Sequence, residues 1–449
     1  MASTTRALGR GARGMARSAR PFLLSMAILA SSAWAFPGSR AEGNGPDFSE
    51  NLTGDWGGQR SALAARGLEL RLDYTGEVLG NLDGGVRRGA IYEGAVRLGV
   101  TLDLERAMGW TGGKLQADAL QTHGQGLSEH YLGNLLTVSS IEAAPSTRLY
   151  TAWFEQSLFS DFASLRIGQL LADEEFLVSE QAGLFVNATF GWPAIAGAGL
   201  RGGGPAYPLA TPGIRIRLGA PEATYLAFGA FNGDPAGGRS GDPQRRNRNG
   251  LLFPVGDDAF LIGEVGHGVE RGITGLPATL KFGGWYHTGR YQDLGAALEG
   301  EPSMRRGNYG LYALADAQLW RPQGQEDGGI GAFFRVVGTP ARLNPIDLYL
   351  DAGLTYKGPL PGRPEDVLGL GVAYAQVSGA ARRRDREARL LDDLGGALRR
   401  QEALVELTYA AQLQPGWLLQ PVAQYVVHPG AEAGIRNALV LGMRTALSF

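Results

Sequence analysis

The chain of 449 residues contains no cysteine. Disulfide scaffolding and thiolate metal ligation are therefore excluded. Histidine is scarce, and His123, His130, His267, His287 and His428 show neither HExxH nor another metal-ligand spacing. No serine is framed as GxSxG. Gly197-Ala-Gly199-Leu-Arg-Gly202 matches GxGxxG in letters, but more glycine and proline follow where a dinucleotide site needs a helix. Thr111-Gly-Gly-Lys114 lacks the spacing of a phosphate loop and reads as a turn. No catalytic residue, metal or cofactor is expected. Beyond the N-terminal leader no apolar run is long enough for a transmembrane helix. Internal repeats and domain linkers are also lacking.

The leader itself is well marked. Arg6, Arg10, Arg13, Arg17 and Arg20 form a basic region without an acidic residue, and Phe22 to Ala33 is an apolar stretch of 12 residues. Ala33-Trp34-Ala35 fits small-x-small cleavage, so residues 1–35 read as a secretory signal peptide. A mitochondrial transit peptide is also rich in arginine, but lacks so compact an apolar core. Loss of the five leader arginines takes the formal net charge from −2 to −7, which argues against a nucleic-acid partner.

What is present is alternation. Leu68, Leu70, Leu72 and Tyr74 interleave with Glu69, Arg71, Asp73 and Thr75. Tyr92, Val96, Leu98 and Val100 face Glu93, Arg97 and Thr101 in the same way, and Leu348, Leu350 and Leu354 face Asp347 and Asp351. Val405, Leu407 and Tyr409 do so against Glu402, Glu406 and Thr408. Period 2 is the mark of a strand with one apolar and one polar face. A soluble exported sandwich also alternates, but about 16 such segments of roughly 8–13 residues suit tilted strands crossing a bilayer. The expectation is an all-β, antiparallel transmembrane β-barrel over 68–449. Residues 36–67 would precede it as a periplasmic segment, with a short helix at Ser61–Arg66 ended by Gly67.

Link lengths test the strand count. The shortest links, Phe159–Asp161, Ala220–Glu222 and Gln414–Gly416, follow even-numbered segments; the longest, 124–147, 171–212, 233–258 and 379–400, follow odd-numbered ones. Short inner turns and long outer loops alternate in this way in outer-membrane barrels. Tyr150, Phe159, Trp285, Trp320, Tyr356, Trp417 and Phe449 fall near segment ends, as interfacial girdles would.

Candidate pore residues follow from the polar faces: Arg71, Glu93, Arg97, Asp118, Arg166, Lys281, Arg335, Asp351 and Glu406. The link 171–212 is long enough to need a functional explanation. It carries Asp173, Glu174, Glu175, Asn187, Trp192, Arg201 and Tyr207, a mixture suited to a sugar, whose hydroxyls hydrogen-bond while rings cover its C–H faces. Folded inward it would constrict the pore; folded outward it would cover the mouth. The basic runs Arg245–Arg248 and Arg382–Arg389 read first as solvated loops, and second as contacts for outer-membrane lipids, lipopolysaccharide above all.

Three blocks carry a family resemblance: Leu52-Thr-Gly-Asp-Trp-Gly-Gly58 with Arg60; Arg166-Ile-Gly-Gln169 through Glu175-Phe176, Asn187, Phe190-Gly191 and Ala206-Tyr207-Pro208; and Glu406-Leu-Thr-Tyr409 through His428-Pro-Gly430 to the final Ala438–Phe449. With Phe231-Asn-Gly-Asp-Pro235, they resemble the carbohydrate-selective porin family of Gram-negative outer membranes. The resemblance implies a 16-stranded barrel that passes sugars, glucose among them, by passive selective diffusion. The terminal strand ending in Phe449 suits the barrel assembly machinery. A general diffusion porin and, more remotely, a barrel-embedded enzyme stay open, as does monomer against homotrimer.

Overall fold

Period-2 strands with one apolar face must close on themselves to cross lipid, because an open edge would leave backbone groups unbonded. The computed structural model, which describes residues 48–220, 223–238, 240–296, 302–323, 328–391 and 398–449, shows that closure. Its strands are β1 Leu68–Asp83, β2 Gly89–Asp103, β3 Gly113–Gly124, β4 Ser146–Leu158, β5 Ala163–Leu170, β6 Thr211–Gly219, β7 Thr224–Asn232 and β8 Ala259–Val269, then β9 Ala278–Gln292, β10 Met304–Trp320, β11 Gly329–Gly338, β12 Ile346–Lys357, β13 Val367–Val377, β14 Gln401–Gln414, β15 Trp417–Val427 and β16 Ala438–Ser448. Each pairs with its sequence neighbours, and β1 pairs with β16 to close the barrel. The expected leader and residues 36–47 lie outside the described residues.

Closure is pinned at the chain ends. Asp73 stands opposite Ser448. Leu52 N donates to Ser448 O at 2.8 Å, and Phe449 N to Leu72 O at 2.9 Å. The helix α1 is Gln59–Ala64, two residues earlier than expected. Arg60 is buried, with its guanidinium 4.4 Å from the Phe48 ring centroid and 4.9 Å from that of Trp56. The first family block is thus a clip beneath the barrel. The turn Gln414–Gly416 needs its glycine, since φ is +70° at Gly416 and a side chain there would strike Leu52 N.

The outer faces are apolar: Leu98, Leu226, Phe282, Leu354 and Leu407 are exposed, while Glu93, Arg97, Arg335 and Glu406 on the opposite faces are buried, together with inward Leu79, Phe260 and Phe333. Aromatics gather at the end with short turns, where Trp56, Trp110, Phe159, Phe162, Trp320 and Trp417 are exposed. Tyr92, Tyr286, Tyr309 and Tyr425 form the belt at the other end. Two expected girdle residues do not belong: Tyr150 and Trp285 are buried on inward positions. Trp285 points inward beside Tyr312, whose ring stacks on it at 6.3 Å. Proximity to a strand end does not decide which face a side chain takes.

Short helices decorate the links: α2 Leu104–Met108 in a short turn, α3 Ala194–Gly199 and α4 Pro243–Arg246 in long ones, and α5 Gly379–Leu391. The basic run Arg382–Arg389 is therefore helical. Ser378 Oγ accepts from Ala381 N at 3.1 Å, satisfying a free amide of its first turn. The face of α5 bearing Ala381 packs on Val377, Ala431 and Leu135.

Candidate pore constriction

The inward faces would line an open tube if nothing filled it. Instead, the long loop between β5 and β6 turns into the barrel and crosses it. Each contact is with an inward residue of a different strand. Leu177 N donates to Glu264 on β8 at 3.0 Å. Lys281 on β9 donates to Val178 O at 2.7 Å. Ser179 bonds Asp316 on β10. Glu406 on β14 accepts from Val186 N at 2.7 Å and Asn187 N at 2.9 Å. Gln420 on β15 reaches Leu184 O at 2.8 Å.

Arg335 on β11 is the centre of this fastening. Fully buried, it donates to Leu177 O at 2.8 Å, Gly191 O at 3.0 Å, Thr189 O at 3.1 Å and Phe190 O at 2.8 Å, and it pairs with Asp351 on β12. A buried cation is tolerable only when paired and hydrogen-bonded, and here both conditions are met. The phenyl rings of the loop need room against the wall, and inward glycines provide it. A Cβ on Gly371 of β13 would lie 2.7 Å from Phe185 and 2.8 Å from Phe190.

A second loop, between β3 and β4, also folds inward, which sequence reading did not anticipate. Glu402 on β14 accepts from Leu135 N and Leu136 N, both at 2.7 Å, and Gln424 on β15 donates to Val138 O at 2.9 Å. The two loops bond each other, through Ser140 N to Val186 O at 2.8 Å and Ala188 N to Thr137 O at 3.0 Å. Burial of Glu142 in this second loop pushes its carboxyl up to about 7, against the opposing donation from Ser128 N at 3.2 Å.

On the other side of the lumen the same β5–β6 loop meets the wall through charged side chains. Arg97 on β2 contacts Asp118 on β3 at 3.0 Å and Glu174 of the loop at 3.2 Å. Arg166 on β5 contacts Glu155 on β4 at 2.6 Å and pairs with Glu175 of the loop. Arg215 on β6 contacts Glu155 at 2.7 Å and Glu175 at 3.0 Å. Aromatic faces back two of these cations: Arg166 lies 4.0 Å from the Trp153 ring centroid and Arg97 5.2 Å from that of Tyr150. Trp153, Arg166, Glu174, Glu175 and Arg215 line one cleft with Leu170, Leu171 and Phe231.

Of the sequence candidates, this strip unites Arg97, Asp118, Arg166, Glu174 and Glu175. Arg71 pairs with Asp73, which stands opposite Arg97 in the register of β1 and β2, so it adjoins the strip on the β1 side. Glu93 is buried directly opposite Glu77 in the register of β1 and β2. Asp173 accepts from Tyr207 N at 2.9 Å, and Tyr207 Oη donates to Ile141 O at 2.9 Å. Trp192 is fully buried, with Nε1 on Gly203 O at 3.1 Å, and Asn187 Oδ1 accepts from Thr189 N at 3.0 Å. These last residues shape the loop from inside. Arg201 bonds Asp258 at 2.9 Å, a residue of the β7–β8 link at the mouth. Glu155, Arg215 and Trp153 were missed. Their inward parity was readable, but nothing local separates them from other inward side chains.

Comparison with known proteins agrees with this architecture. The model of the carbohydrate-selective porin, OprB family, matches residues 87–449. Porin B of Pseudomonas aeruginosa is 28% identical, with 90% of this chain and 92% of that protein covered. The putative porin QuiX of Acinetobacter baylyi is 25% identical over 89% of this chain and 93% of its own length. The high-pH structure of Pseudomonas putida OprB superposes with a TM-score of 0.82 at 25% identity, covering 90% of this chain and 99% of that one. A closed 16-strand barrel with apolar outer faces, plugged by its own loops, is therefore the fold of an outer-membrane channel, and the chain belongs to the carbohydrate-selective porin OprB family.

Proposed function

We propose that the strip formed by Arg97, Asp118, Glu174, Arg166, Glu155, Glu175 and Arg215 is where small neutral sugars, monosaccharides such as glucose, are selected during passive diffusion. The observation that carries this reading is the interleaving of guanidinium and carboxylate groups over Trp153 and Tyr150. A polyol is both donor and acceptor at every hydroxyl, so alternating fixed donors and acceptors replace its water shell group by group. Ions gain less, because neighbouring charges of opposite sign cancel at a distance. The buried rings of Trp153 and Tyr150 sit behind Arg166 and Arg97 and hold those cations in place. The β5–β6 loop acts as the constriction, and residues 1–35 as the leader that directs export.

The test is ion current through purified protein in planar bilayers. Added glucose should reduce it in a saturable manner, and Arg166→Ala should raise the half-blocking concentration roughly tenfold, the scale of one lost charge-assisted hydrogen bond. A current indifferent to sugar would instead mark a general diffusion porin. Turnover of lipid by the same preparation would mark an enzyme.

A further inference from the structure

We infer that the outer corner between β15, β16 and β1 is a binding site for a phosphorylated glycolipid of the outer leaflet. An open groove of about 480 Å³ is lined there by Asp83, Tyr425, His428, Arg436, Asn437 and Leu439, with Ala433 and Ile435. It faces lipid, not the pore. Tyr425 and Leu439 are register partners on the outward faces of β15 and β16, and both are exposed. The apolar stripe continues down β16 through Leu441 and Met443.

Charge is concentrated above that stripe. Asp83 receives Arg436 at 2.7 Å and Arg88 at 2.6 Å, so one carboxylate aligns two guanidiniums. Their side chains stay 72% and 68% exposed, which leaves most of their N–H donors free for an anion. One positive charge is left uncompensated, and paired guanidiniums suit a phosphate group. Asn437 Nδ2 donates to Tyr425 Oη at 3.1 Å, placing an amide and a phenol beside the cations for sugar hydroxyls. The vertical order is cation, polar amide and phenol, then apolar strand face. A membrane glycolipid has the same order of phosphate, sugar and acyl chain, whereas a soluble sugar phosphate would leave the apolar stripe unused. The end with long loops is the outer one in such barrels, so the groove lies at the outer leaflet.

Native mass spectrometry of the full-length porin in neutral detergent tests this, with diphosphorylated lipid A, its dephosphorylated form and phosphatidylglycerol as probes. Diphosphorylated lipid A should be retained about tenfold more tightly than the dephosphorylated form. The double variant Arg88→Gln/Arg436→Gln should abolish that difference. Ala433→Trp, which keeps both guanidiniums and fills the groove, should lose one bound lipid. Sugar-dependent current should stay unchanged in every variant, which also reports correct folding. Equal retention of lipid A by all proteins, or retention of phosphatidylglycerol equal to that of lipid A, would overturn the assignment. Neither result bears on sugar selection in the lumen.

Discussion

Strands β8 to β15 hold the β5–β6 loop mainly by its backbone, whereas β2 to β6 meet it mainly by its charged side chains. On the first side, Arg335, Glu406, Glu264, Lys281 and Gln420 bond loop amides and carbonyls. On the second side, Arg97, Arg166 and Arg215 bond the loop carboxylates Glu174 and Glu175. Backbone groups are the same for any loop sequence, so the first set fixes position. Side-chain groups define chemistry, so the second set fixes what the passage recognises. Polar inward residues of a barrel thus divide into fasteners and lining, although they share one periodicity.

The comparison is broken most severely at Arg335. Substitution by Met should leave Asp351 buried without its cation and the Leu177, Phe190 and Gly191 carbonyls without donors, while Thr189 O keeps the Tyr349 hydroxyl. A loss of ~3–5 kcal/mol is expected for a broken buried pair. It should appear as a lower unfolding temperature on semi-native gels and faster amide exchange at 177–191. Conductance should rise and sugar block should disappear. A normal, sugar-sensitive channel would show that the strip positions itself.

Glu406→Ala should come next. Val186 N and Asn187 N would lose their acceptor, at a cost of about 1–3 kcal/mol for each buried amide left unmet. Open-channel noise should increase, and Glu406→Gln, which keeps one acceptor oxygen, should recover part of the effect.

A change to the lining should do something different. Arg215→Gln removes one cation from between Glu155 and Glu175 while leaving the loop's backbone bonds in place. Reversal potentials in a salt gradient should move several-fold toward cation selectivity by the excess of carboxylate charge. If the unfolding temperature falls as far as in Arg335→Met, the division between fasteners and lining fails.

The smallest effect is expected at Glu142, half-buried in the β3–β4 loop beside Ser128. Its carboxyl is raised to about 7 by burial. The folded state therefore holds the proton more tightly than the unfolded chain does. The stabilising contribution is full below the ordinary carboxylate range and is lost as pH rises through about 7. Channel noise in the wild type should grow between pH 6 and 8, and Glu142→Gln should flatten that profile.

Much of the barrel was legible in the sequence alone. Alternation located the strands because lipid tolerates only apolar side chains on the outer face. Link parity fixed the count, since an even number of crossings brings the chain back to its starting side. Five strip residues were readable as inward or loop charges. The roles of Trp192, Tyr207 and Asn187 were not. An aromatic or amide in a long polar link looks the same whether it faces a ligand or packs inside the link. Arg335, Asp351 and Glu406 show the complementary limit. Their inward direction was clear, but a wall residue facing water and one facing a loop backbone have identical local sequence.

Sequence by itself determined the crossing elements, their order and the ends carrying short and long links, because each follows from period 2, segment length and local turns. Tertiary structure alone decided which loops enter the lumen and which inward groups they consume. Glu406 meets Val186 across 220 residues, and Glu402 meets Leu136 across 266. No local pattern encodes partners that distant. They are chosen when closure of the barrel brings opposite walls to the same loop, and a buried polar group there must find a partner or pay for its desolvation.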